Sequence, residues 1–431
     1  MFSCSPVFLS AIEFINKLKE ALVKRKVNCY NNSRRFVKKE AGDICNFGCT
    51  KSQDWISGKE AWMKEYRLDE IENLKVHGRT AGALNPLPLF WTGSGIELNV
   101  SGSELWIEVE AGYKEYEPWL GLWVNSIPVG RQMLNNDRYW ICVFRGMNAE
   151  KVKNIRIIRE VQAMSGDPSS YLVIHSVKTD GEFHALEEKP YKIEFIGDSI
   201  TSGEGIVGAK EEEDWISMWF SATDNYTAFT ANALKADYRV ISQSGWGVLT
   251  SWDNNPDCNI PQYYDKVCGL LKGEMNEKLG AFRENDFNAW QPDIVVVNLG
   301  TNDGSAFLQP QWRDEVTGRH HKQRMNSDGT YNTEDMDTFK EAVISFLTKI
   351  RSYNPKAQIV WVYGMLGIPM MPYIYQAIDT YKMRTQDKQV SVFQLPNTND
   401  KTVGSRWHPG KLSHEKAAEE LSGYLQELLN N

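Results

Sequence analysis

The sequence predicts a β-sandwich followed by an α/β domain built on a doubly wound parallel sheet. Two changes of hydrophobic period carry this reading. From about Gly78 apolar residues alternate with polar ones in short runs, the period of half-buried strands. After about Glu187 single strands alternate with helical stretches, and the run Val295-Val296-Val297 is apolar on both faces, as a central parallel strand requires. The 431 residues are near three times a domain of roughly 150, and they divide into an amino-terminal extension at 1–66, the sandwich at 67–186 and the α/β domain at 187–431.

Within the extension, Phe8, Ile12, Ile15, Leu18 and Leu22 recur at helical spacing, which predicts an amphipathic helix over 7–25. Residues 26–51 are polar, basic and weakly patterned. In the sandwich, Ile96, Leu98 and Val100 and then Leu105, Ile107 and Val109 flank Ser101-Gly102-Ser103, which reads as a hairpin. Further strands are expected at 120–124 and 155–161, broken by Pro118, Pro128 and the Gly166-Asp167-Pro168 turn. The parallel strands are expected at 192–196, 238–242, 293–299 and 358–363. Phe339, Val343, Phe346, Leu347 and Ile350 mark a helix, and Ala417, Leu421, Leu425 and Leu428 mark a last one over 413–429.

Charge and composition exclude several classes. The net charge is −8, and 42% apolar residues supply more than one core. Residues 1–66 carry 12 Lys/Arg against 7 Asp/Glu, so the remainder holds −13, a balance that repels phosphate backbones and anionic lipid. Neither nucleic acid nor a membrane is an expected partner. Seven scattered cysteines do not form the even framework of a small secreted domain, and Cys45 and Cys49 lack the further pair a zinc site needs. The amino terminus lacks the early positive charges of a secretory signal, so a cytoplasmic location is the expectation. The uncharged stretch 359–375 contains Gly364, Gly367, Pro369 and Pro372, which suit a buried strand and a loop better than a membrane span.

Chemistry gathers at the ends of the predicted parallel strands, where ligands of doubly wound sheets bind. The first strand runs into Gly197-Asp198-Ser199-Ile200-Thr201, placing a serine on a tight turn, where it either caps the next helix or is exposed to react. The second ends in Ser244-Gly245-Trp246-Gly247 and the third in Gly300-Thr301-Asn302-Asp303. Ser405-Arg406-Trp407-His408-Pro409 precedes the last helix. Each string alone is an ordinary turn. Their order, one after each successive strand, is specific.

Together they resemble the four blocks of the SGNH, or GDSL, hydrolase superfamily over about 190–430. With Leu89-Phe90-Trp91-Thr92-Gly93-Ser94-Gly95-Ile96-Glu97, Pro118-Trp119 and Trp407-His408-Pro409, the chain looks like carbohydrate esterase family 2, whose members join a jelly roll to a flavodoxin-like SGNH domain and remove acetyl groups from xylan and mannan. The resemblance implies Ser199 as nucleophile and His408 as general base. It implies an oxyanion hole from the N–H groups of Ser199 and Gly245 and the Asn302 amide. It implies an acetylated oligosaccharide as substrate. The sequence carries no Gly-rich phosphate loop, metal-ligand cluster or dinucleotide fingerprint, so no metal and no cofactor are expected.

The chain departs from the pattern in one place. The family's usual aspartate, two or three residues before the histidine, is replaced by Arg406 and Ser405, so a Ser-His dyad is expected, with a backbone carbonyl orienting His408. Asp400 and Asp303 are the remote carboxylates that compete for that place. His414 on the last helix and His320-His321 in a polar loop read as solvated, and Asp198 and Asp303 as turn-fixing groups. Trp246 and Trp407 flank the centre and are candidates to stack on a sugar, or simply to pack. Self-association through residues 1–66 and the sandwich is the expected quaternary behaviour. The alternatives are an SGNH esterase or lipase-like enzyme for other small esters, and a carbohydrate-binding protein with a vestigial site.

Overall fold

A computed structural model describes residues 63–430. The amphipathic helix expected at 7–25, the Cys45 and Cys49 pair and all but the last four residues of the 1–66 segment expected to self-associate lie outside the described residues.

Eleven short strands come first: β1 (Lys64–Arg67), β2 (Lys75–His77), β3 (Leu87–Pro88), β4 (Gly95–Val100), β5 (Glu104–Gly112), β6 (Trp119–Val124), β7 (Ile127–Met133), β8 (Arg138–Arg145), β9 (Lys153–Arg159), β10 (Tyr171–Thr179) and β11 (Phe183–His184). They form two antiparallel sheets. One runs β1-β10-β5-β8 with β3 beside β10, the other β11-β4-β9-β6-β7 with β2 beside β4. Alternate residues of both point inward, so Ile96, Leu98 and Val100 meet Leu105, Ile107 and Val109 in one core.

That meeting corrects the hairpin reading of 96–109. β4 pairs with β9 and β5 with β10, so the Ser101-Gly102-Ser103 turn carries the chain from one sheet to the other. Asp180 holds the crossing, accepting from the N–H of Ser103 at 2.7 Å and of Glu104 at 3.0 Å. Alternation states which face is buried and is silent about the partner strand.

The second half is a parallel sheet of β12 (Tyr191–Gly197), β13 (Ala236–Ser242), β14 (Ile294–Asn298), β17 (Gln358–Gly364) and β18 (Val390–Leu395), in the order β13-β12-β14-β17-β18. A small pair, β15 (Trp312–Arg313) and β16 (His320–His321), decorates it. The helices in chain order are α1 (Ser199–Ser202), α2 (Tyr226–Ala233), α3 (Glu274–Lys278), α4 (Thr301–Ala306), α5 (Thr333–Tyr353), α6 (Met371–Thr385) and α7 (Lys411–Asn430). Ile294 and Val296 pack with residues of α2 and α7 on one face, Val295 and Val297 with residues of α5 and α6 on the other. β14 is buried at every residue, which is why its sequence shows no alternation.

Two elements depart from expectation. Residues 371–375, expected as loop, open α6, whose first turn carries Pro372, a residue tolerated there because the first N–H groups of a helix have no intrahelical acceptor. β18 was not anticipated because its middle residues are half-exposed and its apolar run is short.

Sandwich and sheet belong to one compact unit. Buried polar groups join them. Arg79 donates to Glu194 of β12 at 3.0 Å and to the carbonyl of Lys266 at 3.0 Å, with its guanidinium over the Tyr264 ring. Glu160, just past β9, accepts from Ser221, Ala222 and Thr223. Trp91 is fully buried and donates its indole N–H to the carbonyl of Val267 at 2.7 Å. Among the described residues no helix is long and apolar enough to cross a membrane.

Candidate active site

β12 ends at Gly197 and the chain turns at once into α1, with Ser199 as its first residue. Asp198 caps the turn by accepting from the Ile200 N–H at 3.0 Å. The Ser199 N–H, at the start of a helix, has no carbonyl behind it to bond.

His408 reaches the same point from the other end of the chain. Its Nε2 lies 3.0 Å from Ser199 Oγ and its Nδ1 lies 3.0 Å from the carbonyl oxygen of Arg406. A carbonyl only accepts, so Nδ1 carries the ring proton and Nε2 is left to accept from the serine hydroxyl. Asp400, a rival for this place, is exposed and lies 3.6 Å from Lys210. Asp303, the other, is turned toward a different loop.

The carbonyl that holds the ring belongs to an unusual backbone. Arg406 and Trp407 both lie in the left-handed region, at φ 53 and φ 60, which costs non-glycine residues about 1–3 kcal/mol each. The cost is offset by a set of hydrogen bonds. Arg406 N–H donates to the Glu212 carbonyl at 2.8 Å, Ser405 N–H to the Gly205 carbonyl at 3.0 Å, and Gly404 N–H to the His408 carbonyl at 2.8 Å. Arg406 Nε donates to Glu204 Oε1 at 3.1 Å. Gly205 must be glycine, because a Cβ there would stand 2.5 Å from the Ser405 carbonyl oxygen and 2.7 Å from His408 Cβ, at φ +77.

Asn302 lies in the first turn of α4. Its Nδ2 donates to the Trp246 carbonyl at 3.0 Å and lies 3.4 Å from Asp198 Oδ2. The neighbouring Asp303 accepts from the N–H groups of Val248, Leu249 and Thr250 at 2.9, 2.8 and 3.2 Å, fastening the loop after β13 to α4. Burial pushes the Asp303 carboxyl up to about 6. Burial pushes Asp198 further, up to about 7, and the charges of Asp303 and Glu204 act in the same direction.

A cleft of about 540 Å³ brings Ser199, Gly245, Asn302 and His408 together at the carboxyl ends of β12, β13 and β14. Trp215 and Trp252, which the sequence reading passed over, stand in its walls with Glu204. Trp252 is half-exposed, and Trp215 meets Tyr116 of the sandwich edge-on at 5.0 Å. Trp246 is not in the wall. It is 8% exposed and its ring packs against Tyr263, so the packing alternative holds for it. Trp407 is 60% exposed and borders an adjoining hollow with Leu366 and Asn399.

The reading of His414 as solvated is corrected. It is fully buried in α7, accepts from the Tyr226 N–H at 3.1 Å, and is held neutral, down to about 3, by burial. The amphipathic pattern of α7 puts position 414 on the inner face, beside Ala417 and Ala418. His320 is exposed and His321 half-buried.

The chain is similar to several known proteins. Residues 195–391 match the GDSL-like Lipase/Acylhydrolase family. The solved acetyl xylan esterase Est2A from the rumen bacterium Butyrivibrio proteoclasticus is 47% identical, with a TM-score of 0.84, covering 85% of this chain and 99% of that one. The acetylxylan esterase / glucomannan deacetylase of Cellvibrio japonicus is 22% identical over 347 residues, 79% of this chain and 84% of its own. The cellulase/esterase CelE of Acetivibrio thermocellus is 25% identical over 346 residues, and the chain spans only 37% of its length.

Proposed function

The chain belongs to carbohydrate esterase family 2, a carboxylic ester hydrolase of SGNH type acting as a carbohydrate deacetylase, and from that premise we propose that it removes O-acetyl groups from sugars derived from xylan or mannan, through an acetyl-enzyme on Ser199. The observation that carries the chemistry is the 3.0 Å contact between Ser199 Oγ and His408 Nε2, with the opposite ring nitrogen already committed to a carbonyl.

In the proposed reaction Ser199 Oγ attacks the acetyl carbonyl carbon while His408 Nε2 takes the hydroxyl proton. The N–H groups of Ser199 and Gly245 and the Asn302 amide, all on one cleft, hold the negative oxygen of the tetrahedral intermediate. The imidazolium returns its proton to the departing sugar oxygen. Water, deprotonated by the same nitrogen, then cleaves the acetyl-enzyme to acetate and free serine. His408 works without an aspartate in this scheme, as a dyad whose ring is oriented by the Arg406 carbonyl. Trp215 and Trp252 give the cleft flat apolar walls that suit a sugar ring.

Ser199→Ala tests the assignment. It is expected to abolish release of 4-nitrophenol from its acetate ester and of acetate from acetylated xylan and mannan oligosaccharides, with an unchanged melting temperature. Retained acetate release by the folded variant excludes Ser199 as the nucleophile. A wild-type chain that binds xylan without releasing acetate favours the binding-protein alternative.

A further inference from the structure

Glu204 lies five residues beyond Ser199, and its carboxylate is the buried negative charge beside the proposed base. Its side chain is 4% exposed, inside the cleft that holds Ser199 and His408. Oε1 accepts from Arg406 Nε at 3.1 Å and stands 3.7 Å from His408 Nε2. Arg406 in turn is the residue whose carbonyl accepts the hydrogen bond from the Nδ1–H of His408. One carboxylate therefore touches the imidazole twice, directly across the Nε2 side and indirectly through the residue that orients the ring.

We propose that the Glu204–Arg406 ion pair supplies what the missing aspartate would supply: it fixes the backbone whose carbonyl orients His408, and the Glu204 charge balances the imidazolium formed when the ring takes the serine proton. The proposal rests on the Ser199–His408 reading. A guanidinium standing alone beside His408 would oppose that positive charge. Paired with Glu204 it does not, and the carboxylate remains near enough to attract the ring. The left-handed Arg406 also needs an anchor at its side-chain end. Glu204 provides it together with the Glu213 carbonyl, to which Arg406 Nη1 donates at 3.0 Å.

The other charged or titratable groups around His408 leave this assignment in place. Asp198 lies behind Ser199 and feels the Glu204 charge. His414 is buried and neutral. Lys210 is turned to the Trp407 ring and to Asp400. Glu204 is thus a positioning residue, acting through Arg406 and through charge.

The test is the pH profile of kcat/KM for 4-nitrophenyl acetate in three variants. Removing the negative charge lets the ring stay neutral to lower pH. Glu204→Gln is therefore expected to lower kcat about 10- to 100-fold with KM little changed, and to move the acid limb down by about one pH unit. Arg406→Gln removes the opposing positive charge. It is expected to lower kcat similarly and to move the limb upward, and it decides the matter alone if the glutamine variant at 204 does not fold. Glu204→Asp keeps the charge and is expected to restore the wild-type limb with part of kcat. Wild-type kcat in Glu204→Gln, or an acid limb unmoved in both charge-removing variants, overturns the proposal. If Ser199→Ala is inactive while those limbs stay put, only the ion-pair role fails; if Ser199→Ala is active, the esterase reading beneath it fails too.

Discussion

Asp198 sits under the proposed nucleophile, Ser199, as a fully buried acid, and its titration reaches beyond the turn it caps. With its carboxyl raised from 3.8 to about 7, the folded chain keeps a proton that the unfolded chain releases. The sign follows from linkage: this contribution to stability is complete below about 3.8 and is lost as pH rises through about 7, and Asp303, raised to about 6, acts in the same sense. Thermal stability of the wild type is expected to fall over that interval. Asp198→Asn, uncharged and still able to accept from Ile200 N–H, is expected to flatten the fall, and melting curves collected across the interval check it. A variant curve parallel to the wild type's would clear Asp198 of the effect. At this scale the residues that line the cleft were partly legible, because Ser199, Gly245, Asn302 and His408 each lie in a short string at a predictable strand end or helix start. Glu204, Trp215 and Trp252 were not, since irregular loops bring them to the cleft and no period encodes the course of a loop.

The segment after β13 shows the same contrast at the level of elements. It carries Gly245 into the cleft, and what shapes it is one side chain of α4, Asp303, accepting from three successive N–H groups. Asp303→Ala would leave those buried donors unpaired, at a cost of about 3 kcal/mol or more. The expected result is a lower urea midpoint with an unchanged slope, together with a drop in kcat as Gly245 and the neighbouring Asn302 lose their register. Full activity in a destabilised variant would separate the loop from catalysis. The central strand β14 was readable from composition, because both its faces are buried and its run Ile294–Val297 is apolar throughout, whereas β18, half-exposed in its middle, was not. Pairing in the sandwich was not. The same alternation describes β4 and β5 whether they share a sheet or face each other, and the choice is made by Asp180, 77 residues beyond Ser103.

Across the described residues as a whole, sandwich and α/β halves are joined through buried charged groups. Arg79 and Glu194 are 0% and 4% exposed, and each would be a stranded charge without the other. Arg79→Met is expected to cost about 3–5 kcal/mol, read from urea unfolding, because it leaves the Glu194 carboxylate buried without its cation. A loss below about 1 kcal/mol would show that Tyr264, which donates to Glu194 at 2.7 Å, suffices for it. The joint was invisible in the sequence because Arg79 and Glu194 are 115 residues apart and each resembles a surface charge.

A further contact between the halves adds to those of Arg79, Glu160 and Trp91 and bears on how such a chain can be rearranged. Gln162 belongs to the sandwich half, and its Oε1 accepts the N–H of Ser244, the residue before Gly245, at 2.7 Å. The cleft therefore takes part of its shape from a side chain encoded 82 residues earlier, on the far side of the boundary between residues 186 and 187. A recombination event at that boundary would deliver a hydrolase half whose Ser244 amide has lost its acceptor and whose Val267 carbonyl has lost Trp91. Sandwich and hydrolase thus hold together as a single unit, and any rearrangement that separates them leaves these buried groups without their partners.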